Sequence, residues 1–109
     1  MQLSEAIRLG AMLHPQQAFG TYRRFNDEGQ VVATCAIGAA GQAGYRGDEH
    51  RSVLLMRTSC PVCEFREALR CVVAHLNDKH LWTREKIADW VATIELTEQE
   101  QPVREAVTA

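Results

Sequence analysis

The fold is decided by residues 60–80, which read CPVCEFREALRCVVAHLNDKH. Two cysteines separated by two residues, Cys60 and Cys63, are followed by His75 and His80 in the pattern C-x2-C-x11-H-x4-H. Two thiolates at this spacing reach one tetrahedral ion, and two-Cys, two-His zinc fingers have nearly the same spacing. The sequence therefore predicts one structural Zn²⁺ held by these four side chains.

A helix over residues 64–77 is predicted between the two ligand pairs. Its apolar residues recur at helical spacing and form one core-facing stripe, Phe65, Leu69, Val72, Val73 and Leu76. The positive end of such a helix favours the nearby thiolates. Positions 75 and 80 point about 140° apart on a straight helix, so we expect the helix to break near Asn77, where the pair Asn77-Asp78 has turn chemistry. Asn77 can end the helix in a left-handed conformation.

Two other interpretations of the same residues remain open. Cys71 lies one helical turn before His75, so Cys60, Cys63, Cys71 and His75 would form a three-Cys, one-His site. A redox-active thiol pair without metal is the second interpretation. It is disfavoured because no thioredoxin-like βαβ unit is recognisable, and a structural disulfide is disfavoured because no secretion signal is recognisable.

Upstream of residue 60, the patterns predict two helices and a β-hairpin. The first helix extends to Leu13 with Ser4 as its cap, and it ends before Pro15. The hairpin pairs residues 21–25 with 30–34 across the turn 26–29. Thr34 is expected to cap a short helix over 35–43 that Gly44 closes.

Further along the chain, the apolar residues 53–56 suggest a short strand, and Thr83 is expected to cap a last helix. Trp82 before that cap and Ile87 inside the helix form a hydrophobic staple. Together these elements predict an α+β fold: a small, mostly helical domain with one N-terminal β-hairpin and a zinc-stapled C-terminal helical segment.

Two glycines inside the short helix, Gly38 and Gly41, each cost roughly 1 kcal/mol relative to alanine. One interpretation is that the first helix packs on them through Ile7 and Gly10. The other is that a partner lies on this face and on the adjoining loop 45–59, where arginines accompany apolar residues.

Composition indicates one small domain with no strong charge bias. The chain has 109 residues, 12 basic and 14 acidic, for a net charge of −2. We expect a single globular domain over 1–95 and an acidic flexible tail over 96–109. The balance disfavours nucleic acid as a partner, and no apolar run approaches a membrane span, so a cytoplasmic protein is expected.

Residues 75–90, HLNDKHLWTREKIADW, resemble a motif of small uncharacterised proteins from bacteria and tailed phages, HLND-x-H-x-W-(S/T)-RE-x-IA-x-W. The resemblance extends loosely from Leu3 to Trp90 and includes a segment similar to residues 35–40. Some members carry a C-x-x-C pair before the first histidine. The resemblance supports this layout, implies a host-cytoplasm location if the gene is phage-encoded, and implies no activity.

These observations predict a zinc-binding module that interacts with another protein or regulates it, rather than an enzyme. One alternative is a nucleic-acid-binding zinc-finger regulator. The other is a hydrolase or thiol enzyme using Cys35, whose place at a helix start would lower the pKa of its thiol, with His14 or His50 as base. The sequence contains no P-loop, G-x-S-x-G or H-E-x-x-H motif. It does not determine the oligomeric state.

Overall fold

The computed structural model describes residues 1–95 and confirms an α+β fold. The expected tail, 96–109, lies outside the described residues. In chain order the elements are α1 (Leu3–Leu13), β1 (Gln16–Gln17), β2 (Arg23–Phe25), β3 (Val31–Thr34), α2 (Ala36–Gln42), a 3-10 turn (Gly47–Glu49), α3 (Arg51–Leu54), β4 (Arg57–Ser59), β5 (Arg66–Ala68), α4 (Leu69–Asp78) and α5, described over residues 84–95. None of these described helices has the length and apolar character needed to cross a lipid bilayer.

One apolar core joins the N-terminal and C-terminal parts of the domain. The predicted stripe of α4 is fully buried from Leu69 to Leu76, and it shares a cluster with Leu3 and Ile7 of α1 and with Ile87 of α5. Cys60 belongs to the same cluster, with 6% of its surface exposed. Cys60 and the buried stripe of α4 are therefore part of the domain core, and they do not form a separate finger.

The predicted N-terminal hairpin is confirmed, and a third strand extends it. β2 pairs antiparallel with β3, and Asn26 accepts backbone N–H groups of Glu28 and Gln30 across the turn. β1 pairs parallel with the other edge of β3, which gives the order β1-β3-β2. A strand of only two residues carries too little alternation to be recognised from sequence.

A second hairpin surrounds the cysteines, and the prediction of a helix from residue 64 is wrong. β4 and β5 pair antiparallel, and α4 begins only at Leu69. The reason lies at Phe65, which stands outside the buried stripe with 37% of its surface exposed. Its carbonyl accepts the backbone N–H of Cys60 at 2.8 Å, and the extended pairing of residues 66–68 with β4 keeps this stretch out of the helix.

The short strand predicted at residues 53–56 is also wrong, because residues 51–54 form the single helical turn α3. Its apolar side chains Val53 and Leu54, and Met56 after it, pack against the core cluster. Burial on one side of a helical turn satisfies these residues as well as a strand would, and a four-residue apolar run does not distinguish the two.

The N-terminus of α1 is capped by a residue from the other end of the described chain. Ser4 is not the cap: the helix begins after Gln2, which makes no side-chain cap bond. Instead the buried carboxylate of Glu95 accepts the backbone N–H of Leu3 at 2.8 Å and of Ser4 at 3.4 Å. A carboxylate here satisfies two free N–H groups and complements the helix dipole.

The cap of α2 is Cys35 rather than Thr34. The Cys35 sulfur accepts the backbone N–H of Gly38 at 3.3 Å. Thr34 is the last residue of β3, and its hydroxyl accepts a bond from Arg84. Gly44 follows the helix with a φ of 92°, which agrees with the predicted helix end.

The cap predicted for α5 is confirmed. The Thr83 hydroxyl accepts the backbone N–H of Lys86 at 3.1 Å. Trp82 packs against the core cluster that contains Ile87, as expected of the staple, and the Lys86 ammonium lies 4.2 Å from the centre of the indole ring. Buried Arg84 in the first turn donates to the carbonyls of His14 and Pro15, which joins α5 to the end of α1.

Candidate metal centre

The four side chains predicted as ligands come together at one point. One ligand atom from each of Cys60, Cys63, His75 and His80 lies within 4.8 Å of the other three. They form a possible metal-binding site. Within residues 1–95 this is the one group of three or more such residues placed closely enough to hold an ion, and Cys71 is outside it.

The cysteine side of the site is built by the hairpin of β4 and β5. The bond from the Cys60 N–H to the Phe65 carbonyl closes the loop between the two strands. The Val62 backbone N–H donates to the Cys60 sulfur at 3.4 Å, within the loop that joins the two strands. Cys60 is buried and Cys63 is exposed, so the site has one face in the core and one face toward solvent.

The histidine side is built by the end of α4. His75 lies in its last turn, and His80 lies two residues beyond the helix. The helix ends at Asp78, which agrees with the break predicted near Asn77. The left-handed residue is Leu81, with a φ of 54°, and Asn77 does not have the predicted left-handed conformation. Asn77 stays helical because its buried amide bonds to other segments. The turn that brings His80 back toward His75 therefore comes after the helix.

Two of the separations between candidate ligand atoms are close to those of a tetrahedral site. Bond lengths of about 2.3 Å to sulfur and about 2.05 Å to nitrogen imply tetrahedral edges of roughly 3.6 Å between sulfur and nitrogen and roughly 3.4 Å between two nitrogens. The Cys63 sulfur lies 3.2 Å from Nε2 of His75, and the two Nε2 atoms of His75 and His80 lie 3.1 Å apart. These two distances are a few tenths of an ångström shorter than the tetrahedral edges, and all four ligand atoms lie within 4.8 Å of one another.

The surroundings of His75 favour its metal-binding form. Phe65 stacks on the His75 ring with centroids 4.3 Å apart and planes 14° apart, which fixes the ring plane. Burial lowers the pKa of His75, and the nearby His80 and Lys79 lower it further. A neutral imidazole keeps the lone pair that a metal ion requires.

Phe65 and Asn77 help to form the candidate metal centre in ways that local sequence patterns did not indicate. Phe65 has the spacing of a residue in the core stripe of a helix, and Asn77 has the chemistry of a helix end. Asn77 is instead fully buried and bonds to three residues in two other segments, Gln17 and Ala18 in one and Ala36 in the other. Two features of the sequence could have indicated these roles. One is an aromatic residue two positions after the C-x-x-C pair, and the other is a polar residue between the two histidines.

Cys35 has surroundings that oppose the proposed nucleophile. It is 4% exposed, and burial raises the pKa of its thiol despite hydrogen bonds that act in the other direction. A raised pKa leaves less thiolate, and the thiolate is the reactive form. His50, one of the two histidines suggested as the base for Cys35, stacks on the Tyr45 ring with centroids 4.2 Å apart.

The two interior glycines of α2 have different explanations. A Cβ on Gly38 would lie 1.9 Å from the carbonyl oxygen of Tyr22, so close backbone packing requires glycine there. The contact with α1 occurs elsewhere, because a Cβ on Gly10 would lie 1.8 Å from the carbonyl oxygen of Ala39. Gly41 has open space around it. The cost of Gly38 therefore needs no ligand or partner, whereas nothing in the structure explains Gly41.

The order β4, β5, α4 has the ββα layout of two-Cys, two-His zinc fingers, which the mispredicted helix had concealed. DNA-reading fingers contact bases from the residue just before the helix and from its third and sixth residues. Here those positions hold Ala68, Cys71 and Ala74, which lack the hydrogen-bonding side chains that read base edges.

Comparison with known proteins found no family model, no curated protein and no solved structure that matches this chain.

Proposed function

We propose that this protein is a small zinc-binding module in which the ion is structural. The observation that carries the proposal is the convergence of one ligand atom each from Cys60, Cys63, His75 and His80. Two thiolates and two imidazoles in tetrahedral arrangement are the donor set that selects zinc among common cellular ions. Four protein ligands leave no position open for a reacting water, which favours a structural role over a catalytic one.

Zinc binding is tested by metal analysis and by cobalt substitution. Native mass spectrometry of untagged protein should show one zinc ion per chain. Co²⁺ in its place should give the visible absorption of a tetrahedral site, together with the thiolate charge-transfer band of two sulfur ligands. A chain that carries no metal and develops no such bands under reducing conditions would refute the proposal.

Matched variants test the ligand set. Cys63→Ser should abolish the thiolate band or reduce it to that of a single sulfur, whereas Cys71→Ser, in the same segment, should leave the spectrum unchanged. His80→Gln should alter the tetrahedral spectrum, and His14→Gln should not. If Cys71→Ser changes the spectrum and His80→Gln does not, the three-Cys, one-His set is correct.

We further propose that the module acts by binding another protein. The net charge of −2 and the base-reading positions described above support a protein partner over nucleic acid. Exposed aromatic residues support it as well: Phe19, Tyr22 and Phe25 each leave half or more of their surface in solvent. Aromatic side chains are enriched at protein interfaces.

The choice between protein and nucleic acid is tested by the salt dependence of DNA binding. Fluorescence anisotropy with a labelled duplex should show no saturable binding, or a slope of log affinity against log salt near zero. A slope of several units would mean that phosphates are being neutralised, and it would favour the nucleic-acid alternative.

A further inference from the structure

The two candidate histidine ligands flank a short segment that forms hydrogen bonds with the N-terminal part of the protein. This inter-histidine segment comprises residues 76–79. An ion bound to both His75 and His80 restrains the segment from both sides. Helix ends are otherwise among the least stable parts of a fold. Binding of an ion to both histidines would therefore restrict this segment more than an ordinary helix end is restricted.

Asn77, inside the segment, uses its whole side chain to bind other parts of the chain. Its Oδ1 accepts Nε2 of Gln17 at 2.8 Å and the backbone N–H of Ala36 at 3.2 Å. Its Nδ2 donates to the Ala18 carbonyl at 3.0 Å and to Asp78 at 2.7 Å. Two donors and two acceptor sites are the full capacity of an amide, and all are used in a fully buried position.

Asp78 extends the same contact toward the surface. Its Oδ1 also accepts the backbone N–H of Gly20 at 2.9 Å. Gln17 adds a second bond, from Nε2 to the Trp82 carbonyl just beyond His80. Residues 17–20 are thus attached to the chain on both sides of the second candidate ligand.

The attached residues lead directly to exposed aromatic side chains. Phe19 is 50% exposed and Tyr22 is 63% exposed. The Tyr22 carbonyl accepts the N–H of Cys35 and packs against Gly38, so the far end of this stretch is fixed to the start of α2. The near end is fixed by Asn77 and Asp78.

We propose that occupancy of the metal centre sets the conformation of residues 17–22, and thereby the presentation of Phe19 and Tyr22. The proposal rests on the zinc-binding function proposed above and adds a regulatory consequence to it. Because coupling between two sites is reciprocal, a change at residue 17 must alter metal affinity even though Gln17 is not a ligand.

The test compares two neighbouring glutamines of β1 by Co²⁺ titration. Gln17→Ala should weaken Co²⁺ binding by about fivefold or more, the lower end of typical coupling. Gln16→Ala is the matched control: its side-chain oxygen accepts a bond only from Arg24, at 3.3 Å, and its Co²⁺ affinity should equal that of the wild type. Equal affinities in both variants would overturn the proposal, while tetrahedral spectra in both would leave the zinc-binding function intact.

A second control separates this coupling from a general loss of stability. Glu95→Gln weakens the cap of α1 without touching residues 17–22 or the inter-histidine segment. If it lowers Co²⁺ affinity as much as Gln17→Ala does, metal binding senses global stability and the proposal fails. If the wild type itself binds no Co²⁺, the zinc-binding function fails and the coupling fails with it.

Amide exchange in the zinc-loaded protein gives a direct view of the segment. Gln17→Ala should speed exchange at the Gly20 and Ala36 amides, whose acceptors are Asp78 and Asn77. Exchange at Asn26, which donates to Gln30 across the hairpin turn, should not change. Unchanged exchange at Gly20 and Ala36 would overturn the proposal.

Discussion

Alanine at the two interior glycines of α2 should change the stability of the protein in opposite directions. Gly38 and Gly41 lie three residues apart in the same seven-residue helix, so the intrinsic gain in helix propensity is similar for both. The difference comes from what the added methyl group would meet. Gly41→Ala adds it to open space, whereas Gly38→Ala places it against a backbone carbonyl.

The magnitudes follow from these surroundings. Gly41→Ala should gain about 0.5–1 kcal/mol of unfolding free energy, the usual difference between the two residues in a helix. At Gly38 the Tyr22 carbonyl oxygen would lie 1.9 Å from the new carbon and must move by more than 1 Å. That oxygen accepts the Cys35 N–H at 3.1 Å. Overpacking and the weakened hydrogen bond together should outweigh the propensity gain and leave a net loss of about 1–3 kcal/mol.

Urea denaturation of the zinc-loaded proteins, followed by far-UV circular dichroism, measures both effects. The midpoints should shift in opposite directions with unchanged slopes. In thermal melts Gly41→Ala should raise Tm by about 2–8 °C, since 1 kcal/mol corresponds to about 4–8 °C in a domain of this size. A stabilised Gly38→Ala, or a strongly destabilised Gly41→Ala, would refute the packing described for α2.

Three further changes test other contacts by the same denaturation assay. Thr83→Ala should lose about 1 kcal/mol because the Lys86 N–H loses its cap, whereas Thr83→Ser keeps a capping hydroxyl and should lose much less; equal losses in the two variants would contradict the assignment of the cap. Asn77→Leu should lose at least about 2 kcal/mol because buried backbone groups lose their partners, and a neutral effect would contradict the buried network. Because burial lowers the pKa of His75 from its usual 6.5, the unfolded chain takes up this proton at a higher pH than the folded chain does. After a chelator has removed the metal, the free energy of unfolding should therefore fall as the pH drops below about 6.5. The fall should continue until the pH has passed the lowered pKa of folded His75. A His75→Gln variant should lose this part of the pH dependence. If its stability changes with pH as that of the wild type does, His75 is not the group responsible.

Patterns that depend on neighbouring residues were readable from the sequence. The antiparallel pair β2 and β3, the buried stripe of α4 from Leu69 onward and the Thr83 cap follow from turn chemistry, helical periodicity and local capping. The spacing of the cysteines and histidines likewise selected the four side chains that the structure brings together. Each of these features is decided within about twenty residues.

The start of α4 could not be predicted from the sequence, because residues 64–68 are compatible with both a helix and an extended strand. Phe65 has the spacing of a helical core residue relative to Leu69, yet it stacks on His75 instead. The strand pairing of residues 66–68 with β4 is accompanied by closure of the cysteine loop, through the bond from the Cys60 N–H to the Phe65 carbonyl. The periodicity of apolar residues does not reveal this hydrogen bond.

By itself the sequence determined the fold class, the buried stripe of α4 and the candidate ligand set, because these depend on periodicity and on the reach of side chains close in the chain. The hydrogen bonds that join distant elements to one another could be found only in the tertiary structure. Glu95 caps α1 from 92 positions away, Arg84 binds the end of α1 from 70 positions away, and Asn77 binds Ala18 from 59 positions away. Each is a polar side chain that satisfies backbone groups left unpaired where a helix or strand ends. Which distant side chain reaches such a group is settled only when the core has packed and water has been excluded.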